Sequence, residues 1–185
     1  NYPEISKMSC KIIKRLNEDN IKCTALTKGI LPIQLADLNK NNEFGITLIT
    51  IDDNYRQNFE PFASPMKDRI KSLYNLHKKG IKTWVSIEPY PTPNIIKQDM
   101  NDILKKLDFV DKIIFGRLNY NSQVSEYKDY KNFFNETAQT VIDFANQHRK
   151  QYYIKEGTIT ESRSKNIVMP INTKATNVFC KSVKK

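Results

Sequence analysis

The feature that most constrains this chain is a regular alternation of short β-rich runs with amphipathic helices. The runs close near residues 28, 50, 88, 116 and 155, leaving gaps of about 22 to 39 residues, and each gap holds one helix. Parallel strands need crossovers of a dozen residues or more, which antiparallel hairpins do not. The alternation therefore specifies βα units with right-handed crossovers in a parallel sheet.

The individual elements follow from periodicity. Ile5, Met8, Ile12 and Leu16 recur at spacings of three and four, which predicts a buried helix over residues 3–17. Residues 21–28 read as a strand running into Gly29, and 31–39 as a short helix. The nearly uncharged run 44–51 reads as a strand buried on both faces, ended by Asp52, Asp53 and Asn54. Ser64 as N-cap and Pro65 at the first helical position predict a helix with Met66, Ile70, Leu73 and His77 on one face and Gly80 as its stop. A third strand over 81–88 is expected to end at Pro89, and Thr92 with Pro93 to open a helix carrying Ile96, Met100, Ile103 and Leu107. Residues 112–116 and 152–155 complete the strands, with a helix carrying Thr137, Val141 and Phe144 between them.

Both an open doubly wound sheet and a closed barrel fit this rhythm. Small or polar residues at alternate strand positions, Gly45 with Thr47 and Ser86 with Glu88, suit an interior that faces a ligand. The expected class is thus α/β, a partial (β/α) TIM-like barrel of parallel strands over residues 1–157, followed by a basic cap or tail over 158–185. Of the net charge of +10, half comes from that short segment, where Arg163, Lys165, Lys174, Lys181, Lys184 and Lys185 face Glu161 alone. This distribution weakens, without removing, a nucleic-acid partner.

No run of about eighteen apolar residues occurs, and the start has neither a basic region nor an apolar signal core, so a cytoplasmic protein without a membrane segment is expected. Cys10, Cys23 and Cys180 are too far apart for a disulfide framework or a C-x-x-C metal pair and read as reduced thiols. Phosphate-loop, dinucleotide-binding, zinc-protease and serine-hydrolase motifs are absent from the sequence.

In parallel α/β architectures ligands bind at the carboxyl ends of the strands. The candidate groups there are Thr27 with Lys28; Thr47, Thr50, Asp52 and Asp53; Ser86 with Glu88; Arg117 with Asn119; and Lys155 with Glu156. Glu88, held before a Pro-Tyr-Pro turn, is the candidate catalytic group. Its alternatives are a plain ion pair with Arg117 or Lys155, or one half of a glycosidase-like carboxylate pair with Glu156. His77 and His148 read as structural or capping residues, and no metal-ligand set is indicated.

The segments 44–50 (FGITLIT), 59–65 (FEPFASP) with Arg69, Ile70 and Leu73, 76–81 (LHKKGI), 85–89 (VSIEP) and 23–28 (CTALTK) occur in an order and spacing that resembles the radical S-adenosylmethionine superfamily. The likeness is particularly to its spore photoproduct lyase-like group and covers about residues 5–157. It implies a parent enzyme that cleaves S-adenosylmethionine to a 5′-deoxyadenosyl radical with a [4Fe–4S] cluster, in a role such as DNA repair. It also implies that Thr47 or Thr50 meets the ribose, that Lys28 and Arg117 face the methionine carboxylate, and that Glu88 hydrogen-bonds cofactor or substrate. The family's C-x-x-x-C-x-x-C loop is absent here, so the chain is expected to be an excerpt downstream of the cluster ligands and inactive alone. A truncated barrel would expose a sheet edge, from which dimerisation or a covering tail is expected. The other readings carried forward are a (β/α) barrel hydrolase and a basic nucleic-acid-binding module.

Overall fold

In the computed structural model, which describes residues 3–160, the chain builds a single sheet of five parallel strands in the order β1-β2-β3-β4-β5. Helix α1 (Pro3–Glu18) leads into β1 (Thr24–Thr27), a 3-10 turn (Ile33–Asp37) and β2 (Glu43–Thr47). Then come α2 (Asp53–Phe59), α3 (Met66–Lys78), β3 (Lys82–Tyr90), α4 (Met100–Lys106), β4 (Lys112–Arg117), α5 (Ser122–Glu126), α6 (Tyr130–Gln147) and β5 (Gln151–Ile154). Spatial order equal to chain order decides between the two architectures left open by the rhythm. With crossovers of one hand it keeps every helix on the same face, whereas a doubly wound sheet reverses its order midway. The fold is part of a (β/α) barrel.

The helix-facing pleat carries Phe44, Ile46, Leu48, Val85, Ile87, Ile113 and Phe115, all completely buried. They pack against Leu73 and Leu76 of α3, Ile103 and Leu104 of α4, and Phe134, Ala138 and Val141 of α6 in one continuous core. The alternate residues, Leu26, Gly45, Thr47, Trp84, Ser86, Glu88, Ile114, Gly116, Tyr153 and Lys155, belong by the two-residue pleat period to the opposite, inner face. β1 and β5 are the two edges of the sheet.

Several sequence expectations are corrected. Helix α1 forms, but Ile5, Met8 and Ile12 are 57%, 56% and 54% exposed and no residue of the helix is buried. Its inward side is instead Cys10 and Ile13, which touch the core. Strand β3 does not stop at Pro89. The last link to β2 is the Leu48 amide donating to the Ser86 carbonyl at 2.9 Å, so beyond Ser86 that edge of β3 needs no donor. On the other edge the register to β4 shifts between Ile87 and Tyr90, across the cis Glu88–Pro89 peptide, which lets a residue without an N–H be skipped.

Thr92 and Pro93 open only a turn, in which Ile95 and Ile96 donate to the Thr92 carbonyl. The helix proper starts at Met100, capped by the Asp99 carboxylate on the Asn101 amide, so Ile96 is not on it. Ser64 is not the cap of α3 either; its amide donates to the Lys28 carbonyl at 2.9 Å and ties this loop to β1. The short helices α2 and α5 were not foreseen, although α2 is capped by Asp52, a residue read only as a strand terminator.

Residues 158–160 continue the packed structure. Thr158 is buried, and Thr160 exchanges hydrogen bonds with Asn135 of α6. The rest of the expected basic segment, including Cys180, lies outside the described residues.

Candidate functional site

The inner face and the carboxyl ends of the strands form the candidate site. At the end of β2, Thr47 is nearly buried, and its carbonyl accepts from Arg69 Nη1 at 2.7 Å. Beside it on β3 lies Ser86, also nearly buried. Two residues on, Glu88 lies flat against Gly116 of β4: a Cβ there would sit 2.9 Å from both Cγ and Cδ of Glu88. Its Oε2 meets Lys155 Nζ at 2.8 Å, and both side chains remain partly open to solvent.

On the opposite flank, Lys28 follows β1 and reaches Glu60 Oε1 at 2.9 Å. Glu60 is 7% exposed and its second oxygen accepts from both Nη1 and Nη2 of Arg69 at 3.4 Å. Arg69 is completely buried, and burial pushes its guanidinium below the usual arginine range despite the adjacent Glu60. Arg56 completes this cluster, donating to Asp53 at 2.7 Å and to the Ala63 carbonyl at 2.9 Å. The carboxyl end of the sheet therefore holds Thr47 and Ser86 between two cation–carboxylate pairs.

The structure sorts the residues singled out from the sequence. Lys28, Thr47 and Glu88 share the inner face with Ser86 and Lys155, of which Thr47 and Ser86 are paired directly in the ladder. Thr50 is completely buried, and its hydroxyl accepts from the Asp52 amide, so it shapes the loop that carries the α2 cap. Arg117 has the pleat parity of Ile113 and Phe115, the helix-facing set. Its Nε donates to Asn119 at 2.7 Å, and it lines a crevice of about 280 Å³ with Asn119, Tyr120 and Ser122. It is thus separated from Lys28 by the sheet. Glu156 is exposed and has the opposite parity to Lys155, the partner of Glu88. Glu60 and Arg69 were not candidates; both sit in the matched segments 59–65 and 69–73, but only their burial reveals a role.

Toward the amino ends of the strands the inner face is closed by the sole tryptophan of the chain. Trp84 lies over Gly45, with Lys112 Nζ 5.4 Å from its ring centroid. Glu43 holds both Lys22 (2.7 Å) and Lys112 (2.8 Å) beneath it.

An iron–sulfur cluster does not fit the described residues. Among them no three His, Cys, Asp or Glu side chains converge as metal ligands, and the free Cys10 and Cys23 have thiols pushed up by burial, away from the thiolate form a cluster needs. The inner face and its carboxyl end offer the Lys28 ammonium, the Glu88 carboxylate and the hydroxyls of Thr47 and Ser86. Among the described residues no helix is long and apolar enough to cross a membrane.

The chain thus has the parallel (β/α) barrel architecture, in which ligand sites lie at the carboxyl ends of the strands. No family model matches the sequence. Solved structures with the same fold include Streptococcus suis SuiB bound to S-adenosylmethionine, at TM-score 0.54 and 16% identity, and SuiB bound to precursor peptide SuiA, at 0.53 and 18%. Each match covers 79% of this chain and 34% of SuiB, and at such identities the likeness is one of fold. Among curated sequences, the uncharacterized protein MJ0683 of Methanocaldococcus jannaschii is 29% identical over 128 residues, covering 67% of this chain and 48% of that protein. The uncharacterized protein ORF301 of Acidianus two-tailed virus is 23% identical over 109 residues, covering 57% of this chain and 36% of that protein. The chain spans about half or less of each relative.

Proposed function

We propose that this chain is the wall of a radical S-adenosylmethionine-type barrel and that it binds S-adenosylmethionine at the carboxyl ends of β1 to β3. One observation carries the reading. Lys28, Thr47, Ser86 and Glu88 gather on the inner face of a parallel sheet whose fold is shared with SuiB, itself crystallised with S-adenosylmethionine. In this arrangement the Lys28 ammonium receives the methionine carboxylate, the Thr47 hydroxyl meets the ribose, and Glu88 accepts a hydrogen bond from cofactor or substrate. Thr50 supports the site through its loop, and Arg117 serves the neighbouring crevice. The cofactor contributes a source of a carbon radical able to take a hydrogen atom from a substrate. The part of this chain is binding and orientation, and alone it is inactive.

Equilibrium dialysis of the chain against S-adenosylmethionine tests the reading. Saturable binding at one site is expected, weakened by Thr47→Val and by Lys28→Met. An absence of saturable binding would discard it. The finer reading, a nucleic-acid substrate and a place in DNA repair beside the spore photoproduct lyase-like group, draws support from the net charge of +10 alone.

A further inference from the structure

On the helix side of the sheet, opposite the inner face, the chain leaves β4 into a crevice of about 280 Å³. Pockets that enclose drug-sized ligands hold about 300–1,000 Å³, so this one has room for a small molecule. Its frame is tied down at three points. The Leu118 amide donates to the Tyr90 carbonyl at 2.8 Å, Asn94 Nδ2 donates to the Gln123 carbonyl at 2.7 Å, and Val124 of α5 is buried.

The polar groups of the crevice are mostly donors. Arg117 uses only its Nε, on Asn119 Oδ1 at 2.7 Å, and among the described residues neither Nη has a partner. The bond that fixes the guanidinium therefore leaves its two ends open. It also occupies the acceptor of Asn119, whose amide is left with its Nδ2 donors. Asn121 is in the same condition, because its Oδ1 accepts from the Gln123 amide at 2.9 Å. Ser122 and Ser125, three residues apart on α5, add hydroxyls from one face of that helix. No residue lining the crevice carries a carboxylate. A fixed guanidinium ringed by amide and hydroxyl donors suits a phosphoryl group, which accepts at three oxygens and is met in plane by the arginine fork.

Tyr120 supplies a second observation. Its φ is 56°, and its side chain is completely exposed. A left-handed residue with a Cβ is strained. The other two in the described residues, Asn20 and Arg149, each follow a helix, where Ile21 donates to the Leu16 carbonyl and Lys150 to the Ala145 carbonyl to close the turn. Tyr120 ends no helix. It stands between β4 and α5 and lines the crevice, where an exposed ring offers a face to the organic part of a phosphate ester.

We propose that this crevice binds a small aromatic phosphate monoester. Arg117, Asn119, Asn121 and Ser122 take the phosphoryl oxygens, and Tyr120 packs on the planar group that the ester carries. The site is separated by the sheet from Lys28, Thr47 and Glu88 and does not depend on what binds there.

Calorimetry on the whole chain with phenyl phosphate, inorganic phosphate and phenol tests the site. Phenyl phosphate should bind once per chain and about three- to tenfold more tightly than inorganic phosphate, the scale of one aromatic contact. Phenol should show no saturable binding. Arg117→Met should weaken phenyl phosphate by about tenfold or more. Arg117→Lys should recover little of that loss, because an ammonium cannot span two oxygens; full recovery would reduce the site to plain charge attraction and overturn it. Tyr120→Gly separates binding from folding. Glycine takes this φ without strain, so the urea midpoint should change little, while phenyl phosphate falls to the affinity of inorganic phosphate. Undiminished phenyl phosphate binding in Tyr120→Gly would refute the aromatic part of the ligand. Equal affinity for methyl phenyl phosphate, a diester, would assign the crevice to a nucleic-acid backbone and overturn the monoester. Absence of saturable phenyl phosphate binding, or binding that Arg117→Met leaves intact, would refute the site altogether.

Discussion

Two glycines on the inner face show how single atoms set this site. At Gly45 an added Cβ would lie 2.5 Å from two ring atoms of Trp84 and 2.9 Å from a backbone oxygen, so neither neighbour can move aside cheaply. At Gly116 the obstacle is the side chain of Glu88, which can swing away. Gly45→Ala should therefore cost about 1–3 kcal/mol in urea unfolding, the range of an overpacked core, and shift the emission of Trp84. Gly116→Ala should cost less and act on the site, releasing Glu88 from Lys155; a larger loss of stability at 116 than at 45 would contradict this account. Residues such as Gly45, Thr47 and Glu88 were legible from their alternation along a strand. Glu60 and Arg69 were not, because in the sequence they are an ordinary loop acid and an ordinary helix arginine. What distinguishes them is being buried together, a property of the fold around them.

At the scale of elements, periodicity located each helix that covers the sheet but could not say what each apolar stripe would meet. α1 and α3 carry stripes of similar quality, yet only α3 buries its own, with Leu73 and Leu76 fully enclosed. Leu73→Ala should accordingly cost about 2–5 kcal/mol, the toll of a core truncation. Ile12→Glu should change the unfolding free energy by no more than about 0.5 kcal/mol, as surface substitutions do. Paired urea titrations would measure both, and comparable losses would mean that α1 is covered in solution. β3 was misjudged at its end for a related reason. Proline forbids a strand only where its missing N–H is needed, and that depends on where the neighbouring strands stop.

For the molecule as a whole, Glu43 joins the segment before β1 to β4 through Lys22 and Lys112. Burial raises its carboxyl, but the hydrogen bonds and charges of the two lysines outweigh this and hold it below the ordinary glutamate value. A carboxylate lowered on folding adds stability above its unfolded pKa of about 4.3 and loses it as pH falls through the folded value. Between about pH 4.3 and pH 3 the urea midpoint should fall more steeply for the unaltered chain than for Glu43→Gln. Parallel slopes would show that the bridge adds nothing.

The five-unit rhythm made the parallel sheet legible, and only the pairing order was left to the structure. That order has a kinetic meaning. Each strand is hydrogen-bonded to the strands just before and after it in the chain, so no pairing must wait for a distant segment. Assembly can run along the polypeptide one βα unit at a time, each step closing only the single crossover between neighbouring strands. A sheet put together this way resembles a repeat array: a further unit can join at either edge without disturbing any register already formed.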